Sequence, residues 1–175
     1  PEKAISYSYE YVENRNPRYP NFENNCITYI SQCLVAGGFE MEGKNVDSLS
    51  KTKVVPTSNK WFCYSFDNDS YLPLNYYVSS SFSNCDDFIK YWTKHTDIKT
   101  DVIDNTSRNI NSLKDKVHIG DVLILYGKNT HSALVVKIDE NDIYYNSNTN
   151  DRIEYPLSRV RENEYKTIRY LNFVT

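Results

Sequence analysis

A cysteine at the start of a predicted helix is the first residue that could carry chemistry. Cys26 opens the apolar run CITYISQCLVA, and Asn24 and Asn25 precede it, where a helix N-cap belongs. Unpaired backbone N–H groups and the helix dipole favour a thiolate in a first turn, and the same N–H groups can hold an oxyanion. Cys26 is therefore a candidate nucleophile, with a buried core thiol as the alternative. Cys33, two turns further on, is predicted to be a core residue.

A histidine and an asparagine later in the chain supply the partners that a catalytic thiol needs. His131 follows a Gly-containing turn at the start of a strand-like run, and it shares a strand face with Ala133 and Val135, which leaves room for a helix against that face. Asn146 lies on the next predicted strand, where its amide could bond the second ring nitrogen. The order predicts a Cys-His-Asn triad. If Asn146 is only a surface residue, the next candidates are Asn148, Asn150 and Asp151.

The oxyanion needs a donor other than a glutamine side chain. Gln32 is the only glutamine, so none precedes Cys26. The backbone N–H of Cys26 and a loop donor, Tyr19 or Asn24, are expected to take that role. His95 and His118 are weaker candidates, because the first ends a predicted helix and the second lies in a turn.

The cysteine pattern gives no sign of a metal site. No CxxC pair occurs, and no other ligand set is visible, so we expect neither a metal nor an organic cofactor. Cys63 and Cys85 are the most plausible disulfide pair, with buried thiols as the alternative.

The elements that must position these residues change character along the chain. Helices are predicted at residues 3–13, with Ala4, Ile5, Tyr9 and Val12 inward, at 26–36 up to Gly37-Gly38, and after Asn84. Strand-like runs follow at 120–127, 132–138 and 142–147, and the final residues form another. This order predicts an α+β fold with the nucleophile helix packed against an antiparallel sheet. No repeat or linker divides the chain, so residues 1–175 are expected to form one domain.

Composition excludes several classes of function. The net charge is −3, which gives no basic excess to follow a nucleic-acid backbone. No apolar run is long enough to span a membrane, and the first residues lack the apolar core of a signal peptide, so any export signal would lie outside this chain. We expect a monomer.

Several sequence blocks resemble a known family, the "Putative amidase domain" family of bacterial cell-wall proteins. They are AISYSYEYVENRNPRYPNF, NNCITYISQCLVAGG, the aromatic run at 61–64, Gly120-Asp121-Val122 and Thr130-His131-Ser132-Ala133. The resemblance spans almost the whole chain. It implies a papain-like fold related to cysteine–histidine-dependent amidohydrolases and NlpC-type cell-wall peptidases, with Cys26 as nucleophile and His131 as base. The family's third residue, usually a histidine, matches Asn146, and Asn25 replaces the usual aspartate.

The resulting hypothesis is thiol-dependent hydrolysis of amide bonds in peptidoglycan, outside the cell or at the wall. Asn24, Asn25, Tyr19 and Trp61 are the expected oxyanion and substrate contacts, and residues 40–82 are expected to shape the pocket. Three alternatives stay open: a transglutaminase-like acyl transferase, a wall-binding module without activity, and a protein in which both residues are merely buried. A secreted bacterial enzyme and a phage lysin fit the sequence equally.

Overall fold

The computed structural model describes residues 1–43, 53–66, 75–94 and 97–174. Its helices are α1 (Glu2–Tyr11), α2 (Cys26–Ala36), α3 (Ser80–Ser83), α4 (Cys85–Thr93) and α5 (Ser107–Leu113), with a short 3-10 helix at Leu157–Arg159. Its strands are β1 (Lys53–Val55), β2 (Cys63–Phe66), β3 (Asn75–Ser79), β4 (Lys99–Asp104), β5 (Val122–Gly127), β6 (His131–Ile138), β7 (Ile143–Ser147), β8 (Arg152–Pro156) and β9 (Tyr165–Asn172). Within the region 40–82, which was expected to shape the pocket, residues 44–52 and 67–74 lie outside the described residues. His95 also lies outside them.

A six-stranded antiparallel sheet organises the fold, in the order β4-β9-β5-β6-β7-β8. The predicted strands of the last third are present, and β5 to β8 pair consecutively as a meander. β9 departs from that meander, because it returns to pair with both β4 and β5. A smaller sheet pairs β3 with β1 in parallel and with β2 in antiparallel. This mixture of helices and mainly antiparallel sheets agrees with the predicted α+β class.

Both faces of the large sheet are covered by apolar packing. β5 and β6 are buried along most of their length, which explains why their sequences are apolar on both faces. Alternate side chains then enter two separate clusters. On one face, Val122, Leu134 and Val136 pack with residues of α1, α2 and α4. On the other, Ala133 and Val135 pack with residues of α5 and the 3-10 helix.

Helix α2 begins and ends where the sequence predicts. Nine of its residues are buried, consistent with a helix that is apolar around most of its circumference. At its end the Phe39 N–H donates to the Leu34 carbonyl and the Gly38 N–H to that of Val35, each at 3.0 Å. Gly38 has φ +102°, the left-handed conformation that this C-terminal motif requires. These bonds fix the helix, and with it the position of Cys26.

Helix α1 is predicted correctly as a helix, but its inward face differs by one position. Ala4 and Val12 are buried as expected, whereas Tyr9 is 39% exposed and its hydroxyl donates to the Glu154 carboxylate. Ser8 faces inward in its place, and its carbonyl accepts a 2.7 Å bond from the Tyr29 hydroxyl. The Ser8 hydroxyl also accepts a hydrogen bond from the buried Asn146 side chain, so a small polar residue occupies the inward position that hydrophobicity alone assigned to a tyrosine.

Trp61 is a core residue, so its predicted role as a substrate contact is wrong. It has no exposed surface, and its ring lies 5.0 Å from that of Trp92 and 5.1 Å from that of Phe82. Its indole N–H donates to the Ser31 hydroxyl at 3.3 Å. An aromatic side chain that is enclosed in this way stabilises the packing between α2 and α4 and cannot reach a ligand.

We expect Trp61→Phe to lower the free energy of unfolding by about 1–3 kcal/mol, through lost volume and a lost hydrogen bond. Urea denaturation measures this change, with exposed Val54→Ala as the control that should have little effect. Unchanged stability combined with a raised KM would contradict the core assignment.

Candidate active site

Cys26 and His131 line one cavity of about 430 Å³ at the end of the large sheet. Cys26 is the first residue of α2, and His131 is the first residue of β6. Asn24 lies in the same wall, and its role as an oxyanion donor stays a prediction. The structure therefore brings together a thiol, an imidazole and a helix N-terminus, which are the parts that nucleophilic attack on a carbonyl requires.

The two residues approach this cavity from opposite faces of the sheet. His131 shares its face with Ala133 and Val135, as predicted, but that face is covered by α5. Helix α2 packs on the other face, against Leu134 and its neighbours. Cys26 and His131 still border the same cavity, because each is the first residue of its element.

A second cysteine lies in the cavity wall, where the sequence patterns did not predict one. Cys85 is the first residue of α4, so the first turns of two helices border the same space. Burial, the nearby Cys26 and Asp86 raise the pKa of the Cys85 thiol to about 12. The signal was present in the sequence, since Cys85 follows the N-cap Asn84 just as Cys26 follows Asn25.

All four cysteines are free thiols, so the disulfide considered between Cys63 and Cys85 is absent from this structure. Burial raises the pKa of Cys63 to about 12, and it also raises the pKa of Cys33. Cys33 is fully buried, as predicted for a core residue. Three of the four thiols are thus held in the protonated form at neutral pH.

His131 is held as a neutral base. Its pKa is lowered to about 4, first by burial of the ring and then by the positive charge of Arg152. The ring stacks against Tyr165, with centroids 6.4 Å apart and planes at 30°. An imidazole that is neutral at pH 7 can accept the proton of a thiol. Sequence reasoning missed Arg152 and Tyr165, because they come from β8 and β9, which no local pattern joins to His131.

The low pKa predicts an unusual acidic limit of activity. We expect the acidic limb of kcat/KM for amide hydrolysis to lie near pH 4, where His131 becomes protonated. Arg152→Gln removes a positive charge that disfavours the imidazolium, so it should raise the His131 pKa and move this limb to higher pH. A pH–rate profile of both proteins measures the shift, with exposed Arg161→Gln as the control. A limb near pH 6.5 that is insensitive to Arg152 would contradict this assignment.

The turn between β7 and β8 anchors the residue that precedes the thiol. The Asn25 N–H donates to the Thr149 hydroxyl at 2.9 Å, and its side-chain amide donates to the side-chain Oδ1 of Asn148 at 3.0 Å. Asn148 in turn donates to the Val12 carbonyl at 2.6 Å. Thr149 and Asn150 both have positive φ, as in a type I′ turn, and a β-branched threonine rarely adopts this conformation.

Asn25 therefore positions Cys26. It does not take the role of substrate contact that the sequence predicted. It is only 2% exposed, and its side chain is turned toward the β7–β8 turn. The same turn also holds the end of α1 through Asn148. The start of α2 is therefore fixed both to the β7–β8 turn and to α1. Thr149 keeps this strained backbone conformation at the position where its hydroxyl accepts the hydrogen bond from the Asn25 N–H.

Asn146 does not orient His131, so its predicted place in the triad is wrong. It pairs with Leu134 across the strands, on the face opposite to His131. Its side-chain N–H donates to the Ser8 hydroxyl at 3.0 Å, and its carbonyl oxygen accepts the Glu154 N–H at 2.8 Å. Asn146 thereby joins α1 to β8, and Glu154 carries a positive φ at this contact.

We expect Asn146→Ala to lower the free energy of unfolding by about 1–3 kcal/mol, because it leaves buried partners without their hydrogen bonds. Thermal or urea denaturation measures the loss, and kcat measured well below the unfolding transition should change little. A large loss of kcat in a stably folded Asn146→Ala protein would restore its role beside His131.

Of the other predicted residues, Asn150 borders the cavity, whereas Tyr19 and His118 do not. Tyr19 stacks on Phe82 with centroids 6.2 Å apart and does not line the cavity, so the structure gives it a packing role. His118 lies 3.2 Å from the Asp121 carboxylate, in the turn before β5. Among the described residues, no group of three His, Cys, Asp or Glu side chains is arranged to hold a metal ion.

The chain is similar to known proteins over segments of different length. A segment of 40 residues, 23% of the chain, is 50% identical to the "Uncharacterized protein YhbB" of Bacillus subtilis (strain 168), and it covers 13% of that protein. The match thus spans a small part of the relative's length. No solved structure matches the chain. Across the parts of the chain that are described, no helix has the length and apolar character needed to cross a membrane. Residues 1–171 match the family described as "Putative amidase domain", and the chain belongs to that family.

Proposed function

We propose that this protein hydrolyses amide bonds of peptidoglycan with Cys26 as the nucleophile and His131 as the general base. Membership of the amidase family supports amide hydrolysis in general. The observation that carries the finer proposal is the shared cavity of Cys26 and His131 at the first turn of α2. The resemblance of the sequence to cell-wall proteins supports peptidoglycan as the substrate and action outside the cell.

The first half of the reaction forms an acyl-enzyme. The neutral ring of His131 accepts the thiol proton as Cys26 Sγ attacks the carbonyl carbon, and the backbone N–H groups of the first turn stabilise the oxyanion. The imidazolium then gives its proton to the amide nitrogen, the C–N bond breaks, and the amine leaves. The lowered pKa of His131 favours this proton donation.

The second half returns the free enzyme. Water takes the place of the amine, His131 accepts one of its protons, and the oxygen attacks the thioester carbon. The C–S bond breaks, the carboxylic acid product leaves, and Cys26 regains a proton from His131. The proposal includes a papain-like fold for the whole chain. A nucleophile at the start of a helix and a histidine at the start of a strand suit that class of peptidase.

Mass spectrometry of purified peptidoglycan after incubation with the protein tests the proposal. We expect new fragments from a single type of amide bond, in pairs whose summed mass exceeds that of the uncleaved piece by one water, and their masses identify that bond. Cys26→Ala should release none, whereas Cys33→Ala, a buried thiol outside the cavity, should release the same fragments. Adding a primary amine separates acyl transfer from hydrolysis, because a transferase would yield the amide of that amine. Intact peptidoglycan with the wild-type protein would overturn the proposal.

A further inference from the structure

A second cavity, of about 390 Å³, adjoins the first and shares His131 with it. Asn129, Asn150 and Tyr165 also border both cavities, whereas Cys26 borders only the first. A substrate whose carbonyl carbon lies at Cys26 therefore passes His131 before it enters the second cavity. Since His131 protonates the leaving nitrogen in the proposed reaction, this cavity lies on the side of the leaving amine.

The second cavity is rich in positive charge. Lys128, Arg152 and Arg159 line it, against the single carboxylate of Glu164. Within the described part of the chain, none of these three cations forms an ion pair with a carboxylate. Asp151, the acidic neighbour of Arg152, is bonded to Arg15 at 3.1 Å instead. The second cavity thus has a local excess of positive charge in a chain of net charge −3, and such a cleft attracts anions.

Arg152 is held in a defined orientation at this site. It is half-buried on β8, and its guanidinium lies 3.9 Å from the centre of the Tyr155 ring. Stacking on an aromatic face leaves the N–H groups at the guanidinium edge free to donate, and two such groups match the two oxygens of a carboxylate. Its side chain lines the same cavity as that of His131.

We propose that this cavity binds a carboxylate on the amine side of the scissile bond, with Arg152 and Arg159 as its ligands. The inference rests on the proposed function and adds a substrate class to it: amides whose leaving amine belongs to an acidic amino acid or peptide. Arg152 forms the inner contact beside His131, and exposed Arg159 and Lys128 form the outer ones. These residues select the substrate, and the carboxylate orients the leaving nitrogen toward His131.

Binding of a leaving-group analogue tests the proposal without any turnover. The probes are the dipeptide D-glutamyl-L-lysine and the same dipeptide with its carboxyl groups amidated, titrated into the wild-type protein by calorimetry. We expect the acid to bind about tenfold more tightly than the amidated form. Arg152→Gln and Arg159→Gln should each remove most of this preference, and Arg161→Gln, which lies outside the cavity, should keep it.

The outcomes separate this inference from the proposed function. Undetectable binding of the acid, equal binding of both probes, or a preference that survives both substitutions would overturn the carboxylate site, even if peptidoglycan is cleaved. If the protein cleaves no peptidoglycan but binds the acid in an arginine-dependent way, the carboxylate site is supported and the proposed hydrolase activity is contradicted. Arg159 is exposed, so its variant remains informative if Arg152→Gln unfolds the protein.

Discussion

Cys26→Ala is expected to lower kcat for amide hydrolysis by about 10⁴-fold or more, because it removes the atom that bonds to the substrate carbon. No other thiol is ready to replace it. Cys85 borders the same cavity, but its pKa of about 12 keeps it protonated, and Cys33 and Cys63 are buried with raised pKa values. The measurement is single-turnover hydrolysis of peptidoglycan fragments, followed by mass spectrometry.

Two cysteine variants act as controls for this result. Cys33→Ala should keep its kcat and lose about 1–2 kcal/mol of stability, as expected for a small buried side chain. Cys85→Ser should still form an acyl-enzyme at Cys26, detected as a mass increase on the peptide that contains Cys26. Full activity in Cys26→Ala, or acylation of Cys85 in the wild-type protein, would contradict the assignment of the nucleophile.

His131→Ala is expected to lower kcat by about 10³-fold, because the thiol loses its base and the leaving amine its acid. The effect is smaller than that of Cys26→Ala, since hydroxide and buffer bases can still deprotonate the thiol. His131→Gln retains most of the ring's volume and should be equally inactive, which separates lost chemistry from lost packing. Near wild-type kcat in His131→Gln would remove His131 from the mechanism.

The same histidine gives an independent signature in stability. Its pKa is about 4 in the folded protein and about 6.5 ordinarily, so the unfolded chain binds its proton more readily. The free energy of unfolding should therefore fall as the pH drops from about 6.5 towards 4. His131→Gln cannot take up this proton, so its stability should depend less on pH across that range. Urea denaturation at several pH values measures the difference.

The sequence was sufficient to predict elements whose signal is local. Helix α2 is apolar around its circumference and ends at Gly37-Gly38, so both its bounds and the position of Cys26 follow from adjacent residues. His131 at the start of a strand is predicted in the same way, from a turn followed by an apolar run. These two residues carry the candidate chemistry, and both are recognisable because the signals that identify them lie in the neighbouring sequence.

Other parts of the site depend on strand register and on distant contacts. Asn146 has the right residue type on the neighbouring strand, but its partner in register is Leu134, and this places its side chain on the wrong face. Arg152 and Tyr165 reach His131 only because β8 and β9 occupy particular positions in the sheet. Trp61 has the amphipathic character of a ligand contact, and only its enclosure by Trp92 and Phe82 reveals a core residue.

The position of β9 between β4 and β5 determines when a newly made chain can become active. During synthesis the nucleophile emerges more than a hundred residues before Asn148 and Thr149, the turn residues that hold Asn25 beside it. Until residues 165–172 have emerged, β4 and β5 have no strand between them, and Tyr165 is missing from beside His131. Pairings so distant in sequence form slowly, because the intervening chain must first be brought together. We therefore expect a ribosome-bound chain to expose the Cys26 thiol well before the cavity around it is complete, and any reaction at Cys26 to begin only once β9 has joined the sheet.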